Sequence, residues 1–412
     1  MREIRSIAEG VFRRESGRIL SGLIRISGSF DRAEEAMQEA FASALMGWPE
    51  KGVPANPAAW ITTTAHRKLI DSARRENTRR KKQDALNYET TPTTGILLEE
   101  EVMEFPDDRL RLIFTCCHPA LNPDAQVALT LRTLGGLSTP EIAKAFLMPE
   151  ATLAQRLVRA KRKIHEACIP YEQPAPERLP ERLASVQAVI YLIFNEGYAA
   201  SSGRELVRAD LCAEAIRLAR VLCELLPGQA GSIGLLALML LQDSRRDARM
   251  KDGKLVTLED QDRSLWHQEA IVEGLKFVEQ ALARGPLGPY QVQAAIAALH
   301  SEAKTAAETD WAQIVVLYGR LLELSPSPVV ALNQAVAIAM SEGIAEGLRR
   351  IDELGQSGAL HRYYLFHAGR ADLLRRLQRN EEAAEAYRQA IELTTNQVEQ
   401  DFLRSRLAAL SW

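Results

Sequence analysis

"LSTPEIAKAFLMPEATLAQRLVRAKRKI", residues 137–164, announces two helices and the corner between them. Ser138 and Glu141 have the spacing of a capping box, and Leu137 and Ile142 occupy the positions of a hydrophobic staple. The first helix is expected to begin at about Thr139 and to run to about Phe146. Pro149 falls where the second begins, which leaves a corner of the roughly three or four residues found in a helix-turn-helix. On that second helix Leu153, Leu157, Ala160 and Ile164 recur at helical spacing and form an inward stripe. Thr152, Gln155, Arg159 and Arg162 then point away from the stripe, with Arg156 and Lys163 beside them. Arg and Gln can read base edges in a major groove, and Arg and Lys can hold phosphates, so this face suits DNA.

Outward from that stretch, apolar residues recur at three and four throughout the 412-residue chain, and sustained alternation is missing. The expected fold class is all-α, with no sheet. With 46% hydrophobic and 25% charged residues, the composition is that of a folded protein rather than a disordered one. Two stretches read as linkers: the Thr- and acid-rich residues 83–106 and the Pro-rich residues 169–182. They divide the chain into residues 1–82, 107–168 and 183–412.

Charge follows that division. Residues 1–168 hold 25 Lys and Arg against 22 Asp and Glu, a balance of +3; residues 169–412 hold 26 against 32, a balance of −6. Positive charge collects at the end of "NPAAWITTTAHRKLIDSARRENTRRKK", residues 56–82, where Arg67, Lys68, Arg74, Arg75, Arg79, Arg80, Lys81 and Lys82 face only Asp71 and Glu76. A solvated helix mixes the signs more evenly, so this end is expected to meet phosphates. Asn56 is its expected cap, with Pro57 at the first helical position. Upstream, "DRAEEAMQEAFASALMGWP" places Asp31 as a cap with Glu34 three residues on. Ala33, Ala36, Met37, Ala40, Phe41, Ala44 and Leu45 would form its buried face, and Glu34, Glu35, Gln38 and Glu39 its polar one.

Several function classes are disfavoured. HExxH, P-loop, GxSxG and Rossmann glycine patterns do not occur, and the histidines at 66, 118, 165, 267, 300, 361 and 367 lack ligand spacing. An enzyme, a metal site and a cofactor are therefore not expected. "CCHP" at 116–119 reads as buried thiols, because neighbouring helical side chains diverge by about 100° and no CxxC is present. No apolar run approaches the roughly 18 residues of a membrane span, and the N-terminus lacks the apolar core of a secretory signal. The chain is expected in the cytoplasm, with no membrane partner.

Two helical modules with DNA-facing features, in this order and joined by an acidic linker, resemble a bacterial RNA polymerase sigma factor of the extracytoplasmic-function group. The resemblance covers residues 1–168 and implies core RNA polymerase and promoter DNA as partners. Residues 31–45 resemble the region 2 helix that docks on the β′ clamp helices, which implies polymerase contacts at Asp31, Glu34, Glu35, Gln38, Glu39 and Phe41. Residues 56–82 resemble the segment that captures and melts the −10 element, which implies contacts at Trp60, Thr63, His66, Arg67, Lys68, Arg74 and Arg75. Residues 107–164 resemble region 4, which meets the β flap and reads the −35 element, here through Thr152, Gln155, Arg156, Arg159, Arg162 and Lys163. The linker, with Glu99, Glu100, Glu101 and Glu104, resembles one threaded through the polymerase channels.

Most members of that group end near the second helix-turn-helix, whereas this chain continues for residues 183–412. Residues 369–393 resemble a tetratricopeptide repeat, with Ala371, Leu374, Ala383, Tyr387 and Ala390 at its packing positions. Prolines at 227 and 326 end similar helices 99 residues apart, room for three repeats of 33. A tetratricopeptide-like domain of stacked helical hairpins is expected, with a protein partner of its own. "YLIFNEGYAASSG" (191–203) and "LMLLQDSRRDAR" (238–249) stand apart from the repeats and resemble segments of the long sigma subgroup with such a domain. Asp243, Arg245, Arg246, Asp247 and Arg249 read either as a salt-bridged helix end or as a regulatory patch. The competing whole-chain reading is a free-standing helix-turn-helix regulator with a sensor domain, which leaves residues 1–82 without a role.

Overall fold

Helix caps and apolar stripes set the architecture of the computed structural model, which describes residues 2–84, 108–146, 148–200, 202–203 and 206–410. The glutamates at 99, 100, 101 and 104 lie outside these residues, as do the side chains of Arg79, Arg80, Lys81 and Lys82. The described residues are dominated by helix, as expected. The chain divides into two units, one of residues 1–144 and 148–186, the other of residues 187–412 together with 145–147.

The first unit opens with three long helices, α1 (Arg2–Ser27), α2 (Phe30–Lys51) and α3 (Pro57–Asp84), packed pairwise on one another. Small residues let them approach: Ala33, Ala40 and Ala44 of α2 and Ala65 of α3 are fully buried beside Leu20 and Ile61. Asn56 caps α3, its Oδ1 accepting the Ala59 amide at 3.0 Å, with Pro57 next as expected. The cap of α2 is Ser29 rather than Asp31. Gly28 turns the chain at φ 63°, and Phe30 then enters the core as the first helical residue. The buried face of α2 is correspondingly Phe30, Ala33, Ala36, Met37, Ala40, Ala44 and Trp48, while Leu45 is 43% exposed. Helix α3 also carries through residues 83 and 84, expected as the start of a linker.

Helices α4 (Arg109–Cys116), α5 (Pro123–Thr133), α6 (Thr139–Ala145) and α7 (Glu150–Glu166) follow, with α8 (Leu179–Tyr198) crossing the division of the chain at 186. Asp108, at the N-cap position of α4, is 3% exposed and takes Arg25 of α1 at 2.7 Å and Arg111 at 3.2 Å. Such a pair is buried enough to fix register between the two helical sets. The thiols of "CCHP" turn toward α5: Cys116 Sγ lies 3.3 Å from Thr133 Oγ1 and Cys117 Sγ 3.6 Å from Thr130 Oγ1. Burial raises both, Cys117 to about 12, which keeps them protonated and unreactive. The Pro-rich stretch is fastened down. Ile169 is buried, the Tyr171 hydroxyl donates to Ser21 O at 2.8 Å, and Arg182 donates to Phe114 O.

The second unit continues through α9 (Ala209–Leu225), α10 (Ala230–Asp243), α11 (Gln268–Leu282), α12 (Pro289–Glu302), α13 (Trp311–Leu324), α14 (Pro328–Ser341), α15 (Ile344–Gly355), α16 (Tyr364–Arg376), α17 (Asn380–Leu393) and α18 (Gln397–Ala408). Each packs mainly on its sequence neighbours, with α10 also meeting α12. Gly347 makes the closest crossing: a Cβ there would stand 2.3 Å from Ala339 Cβ and 2.8 Å from Ala335 O. The residues picked out at 369–393 are buried as expected. The expected three repeats of 33 between Pro227 and Pro326 are not realised. Residues 244–267 are spent on short 3-10 turns and a two-residue antiparallel pairing, Met250–Lys251 with Lys254–Leu255, so the helices α10 to α13 make two pairs. A second short pairing, parallel, joins Ser202–Gly203 to Thr395–Asn396. These are the strands the sequence did not lead us to expect.

Candidate nucleic-acid interface

The helix-turn-helix stretch folds from its own local signals. The Ser138 amide donates to Glu141 Oε2 at 2.7 Å, and the Glu141 amide reaches back to Ser138 Oγ at 3.4 Å, closing the capping box. Leu137 and Ile142 are both buried. Helix α6 ends at Ala145, one residue earlier than read from sequence, and α7 starts at Glu150 with Pro149 as its N-cap. Leu153, Leu157, Ala160 and Ile164 are the buried face of α7.

The opposite face gathers the candidate base-reading residues. Thr152, Gln155, Arg156, Arg159, Arg162 and Lys163 all line one groove of about 660 Å³, closed on its other side by residues 120–122 and Ala125 at the start of α5. Their states differ. Thr152, Gln155, Arg159 and Lys163 are exposed. Arg162 pairs with Glu166 at 2.6 Å one turn on, and Arg156 is half-buried, 3.2 Å from Asp124. Gln155 and Arg159 thus stand exposed on this face, and Arg156 braces α7 against α5.

The second cationic surface lies along α3. Ile61, Ala65 and Leu69 are its buried stripe. Thr63, Arg67 and Arg74 follow one another along an exposed row, with Arg75 exposed beside them. Lys68 is partly covered, 3.5 Å from Glu39 of α2. Trp60 is half-buried and meets the buried Trp48 edge-on, ring centroids 5.6 Å apart. His66 is half-buried too, and burial lowers its pKa. Trp60 and His66 are thus partly core.

On α2, Glu35, Gln38 and Glu39 are exposed, whereas Phe41 stacks edge-on with Phe12 at 5.2 Å. Asp31 and Glu34 are engaged from within the unit: Lys161 of α7 lies 3.0 Å from Asp31 Oδ1 and 2.8 Å from Glu34 Oε2. Lys161 was not among the residues singled out from sequence. It borders the buried stripe, between Leu157 and Ile164, and its partners are 127 and 130 positions away. No local spacing could have found it.

In the second unit the two unusual stretches come together. Arg245 donates to Tyr198 Oη at 2.8 Å and Arg249 to Tyr198 O, with the Arg249 guanidinium 3.8 Å from the Tyr198 ring centroid. Arg246 holds Asp243 at 3.1 Å, and Asp247 takes His267 at 2.9 Å. Burial raises the Asp243 carboxyl and lowers Arg249. All five residues of the cluster are thus tied to neighbours within the unit. Among the described residues, no helix is long and apolar enough to cross a membrane.

Three family models match the chain: Sigma-70 region 2 over residues 11–79, Sigma-70, region 4 over residues 111–164, and a family of unknown function (DUF6596) over residues 182–282. An uncharacterized protein of Rhizobium meliloti (strain 1021) is 44% identical over 399 residues, spanning 95% of this chain and 93% of its own length. The region 2 match covers α2 and most of α3, and the region 4 match runs from α4 to the end of the α7 stripe.

Proposed function

The chain belongs to the sigma-70 family of transcription-initiation factors, with region 2, region 4 and an additional C-terminal domain, and from this premise we propose that it is a sigma factor of the extracytoplasmic-function group, regulated by its own C-terminal unit. It docks on the β′ clamp helices of core RNA polymerase through the polar face of α2, and on the β flap through region 4. It holds the −10 element along α3 and reads the −35 element with Thr152, Gln155, Arg159 and their neighbours on α7. The single observation that carries the reading is the groove in which all six candidate residues of α7 come together.

The weak net charge supports a subunit that acts inside a larger assembly. A formal net charge of −3 gives little general attraction to DNA, so core polymerase supplies much of the hold on the template. The compartment is then the cytoplasm, where polymerase works. The test is run-off transcription from a promoter-fragment library with core polymerase, with and without the protein. Specific transcripts that need both support the reading; tight specific DNA binding by the protein alone, with no transcripts, would favour a free-standing regulator. The C-terminal unit is tetratricopeptide-like in this reading, and its cluster of Asp243, Arg245, Arg246, Asp247 and Arg249, held against Tyr198, takes part in regulation. Unchanged promoter-dependent transcription by a folded Arg245→Gln, Arg246→Gln variant would remove that role.

A further inference from the structure

The second unit carries a half-open pocket of about 890 Å³ between the 257–263 turn and helices α14, α16 and α18. That volume falls in the range of sites that take small molecules. Its wall is partly apolar, with Trp311, Val336, Met340 and Phe402 facing the space. Two buried polar atoms of residues in the wall have no hydrogen-bond partner. Thr309 is 6% exposed with its Oγ1 unpaired, and His300 presents an unpaired Nδ1 beside the Trp311 ring, centroids 5.1 Å apart. Burial, with Arg245 and Arg263 nearby, pushes His300 down to about 4, so this imidazole is neutral near pH 7. Leaving such groups unpaired is unfavourable, and a ligand hydrogen bond would satisfy them.

The charges of the wall indicate what the ligand carries. Arg263, Arg375, Arg376 and Arg406 face the cavity against Glu259, Asp260 and Asp372, an excess of one cation. Three of the guanidinium groups are committed. Arg376 spans Glu259 and Asp372, Arg375 holds Asp372 at 2.7 Å, and Arg263 donates to the carbonyls of His300 and Ala303. Arg406 is held loosely, 3.5 Å from Asp260, which already accepts Thr257 Oγ1 at 2.7 Å. Its guanidinium stands 5.1 Å from the Phe402 ring centroid, a position from which it can also meet an anion.

We propose that this cavity is a binding site for a small organic monoanion, a carboxylate on a ring-sized apolar body. Arg406 receives the carboxylate, the apolar body packs against the Trp311 side of the wall, and Thr309 and His300 supply the remaining hydrogen bonds. The site is independent of the transcriptional reading, and its test uses no polymerase, so the failure of one leaves the other standing.

The experiment is isothermal titration of the full-length protein with 2-naphthoate and with its uncharged analogue 2-naphthamide. The expected result is saturable one-to-one binding of the acid, with the amide weaker by about tenfold or more. Arg406→Gln should bring the acid down to the level of the amide, Arg406→Lys should restore part of the difference, and Thr309→Val should weaken both ligands, in proteins whose circular-dichroism melts match the parent. Absence of saturable binding up to ~1 mM, equal affinity for acid and amide, or affinity untouched by both Arg406→Gln and Thr309→Val would overturn the assignment. So would tighter binding of a short peptide with a free C-terminal carboxylate, which would make the cavity a peptide site.

Discussion

Lys161 Nζ of the helix-turn-helix lies 2.8 Å from Glu34 Oε2 on α2, joining the helix expected to read DNA to the one expected to dock on polymerase. Both side chains are largely covered, at 15% and 14% exposure, and the other carboxylate oxygen of Glu34 has no partner. Removing the ammonium would leave a covered carboxylate without its ion. Lys161→Met should therefore lower stability by about 1–3 kcal/mol in urea denaturation, and Glu34→Gln added to it should recover part of the loss. Asp31 is 82% exposed and adds little. If the tie also withholds Glu34 from polymerase, Lys161→Met should bind core more tightly by fluorescence anisotropy. Strictly additive single and double variants would show that the pair is not coupled.

Arg159 and Arg156 stand three residues apart on α7 and should behave differently. Arg159→Ala removes an exposed side chain with a free path into the groove, and should cost about 1–3 kcal/mol of holoenzyme affinity for its promoter while relaxing preference at one position. Arg156→Ala breaks the contact with Asp124 and should weaken all sequences alike through the pose of α7. Lys163→Ala should lower the salt dependence of binding without changing preference. Binding selections on randomised −35 sequences, at two salt concentrations, separate the three outcomes.

His300 should leave a signature in acid. Its folded pKa, about 4, lies below the 6.5 of an ordinary imidazole, so the fold favours the neutral ring. The stability this contributes is complete above pH 6.5 and drains away as pH falls toward 4, by about 3 kcal/mol at most. His300→Phe keeps an aromatic ring against Trp311 and removes the titration, so its denaturation midpoint should fall less steeply than the parent's between those limits. Parallel pH profiles would refute the assignment.

Gly347→Ala tests the closest helix crossing. The added methyl would meet Ala339 Cβ, Ala339 Cα and Ala335 O, of which two are backbone atoms and cannot rotate away. A loss of about 1–3 kcal/mol is expected by urea denaturation. Adding Ala339→Gly should rescue only part of it, because the backbone contacts remain.

The features that were legible in the sequence are those encoded within one or two turns of helix. The Ser138 capping box, the Asn56–Pro57 start and the Leu153 to Ile164 stripe need no tertiary information, and each formed as read. Where burial decides, spacing misleads: the sequence offered Asp31 as the cap of α2, and burial of Phe30 as the first helical residue moves the cap to Ser29. Distant pairings such as Arg25 with Asp108, Lys161 with Glu34, and Tyr198 with Arg249 depend on how helices pack, which periodicity does not express. The repeat spacing misled because a fixed count of residues need not be spent on helix, as residues 244–267 show.

Tyr171 and Arg182 change where the chain can be cut. The prolines around them mark a natural place to sever the N-terminal unit, yet the Tyr171 hydroxyl serves Ser21 O and the Arg182 guanidinium serves Phe114 O. A fragment ending at Cys168 would uncap two main-chain carbonyls and bare the floor beneath Ile169. A fragment that keeps both ties must therefore run past Arg182, and proteases should find the prolines a poor target although composition marks them as the seam.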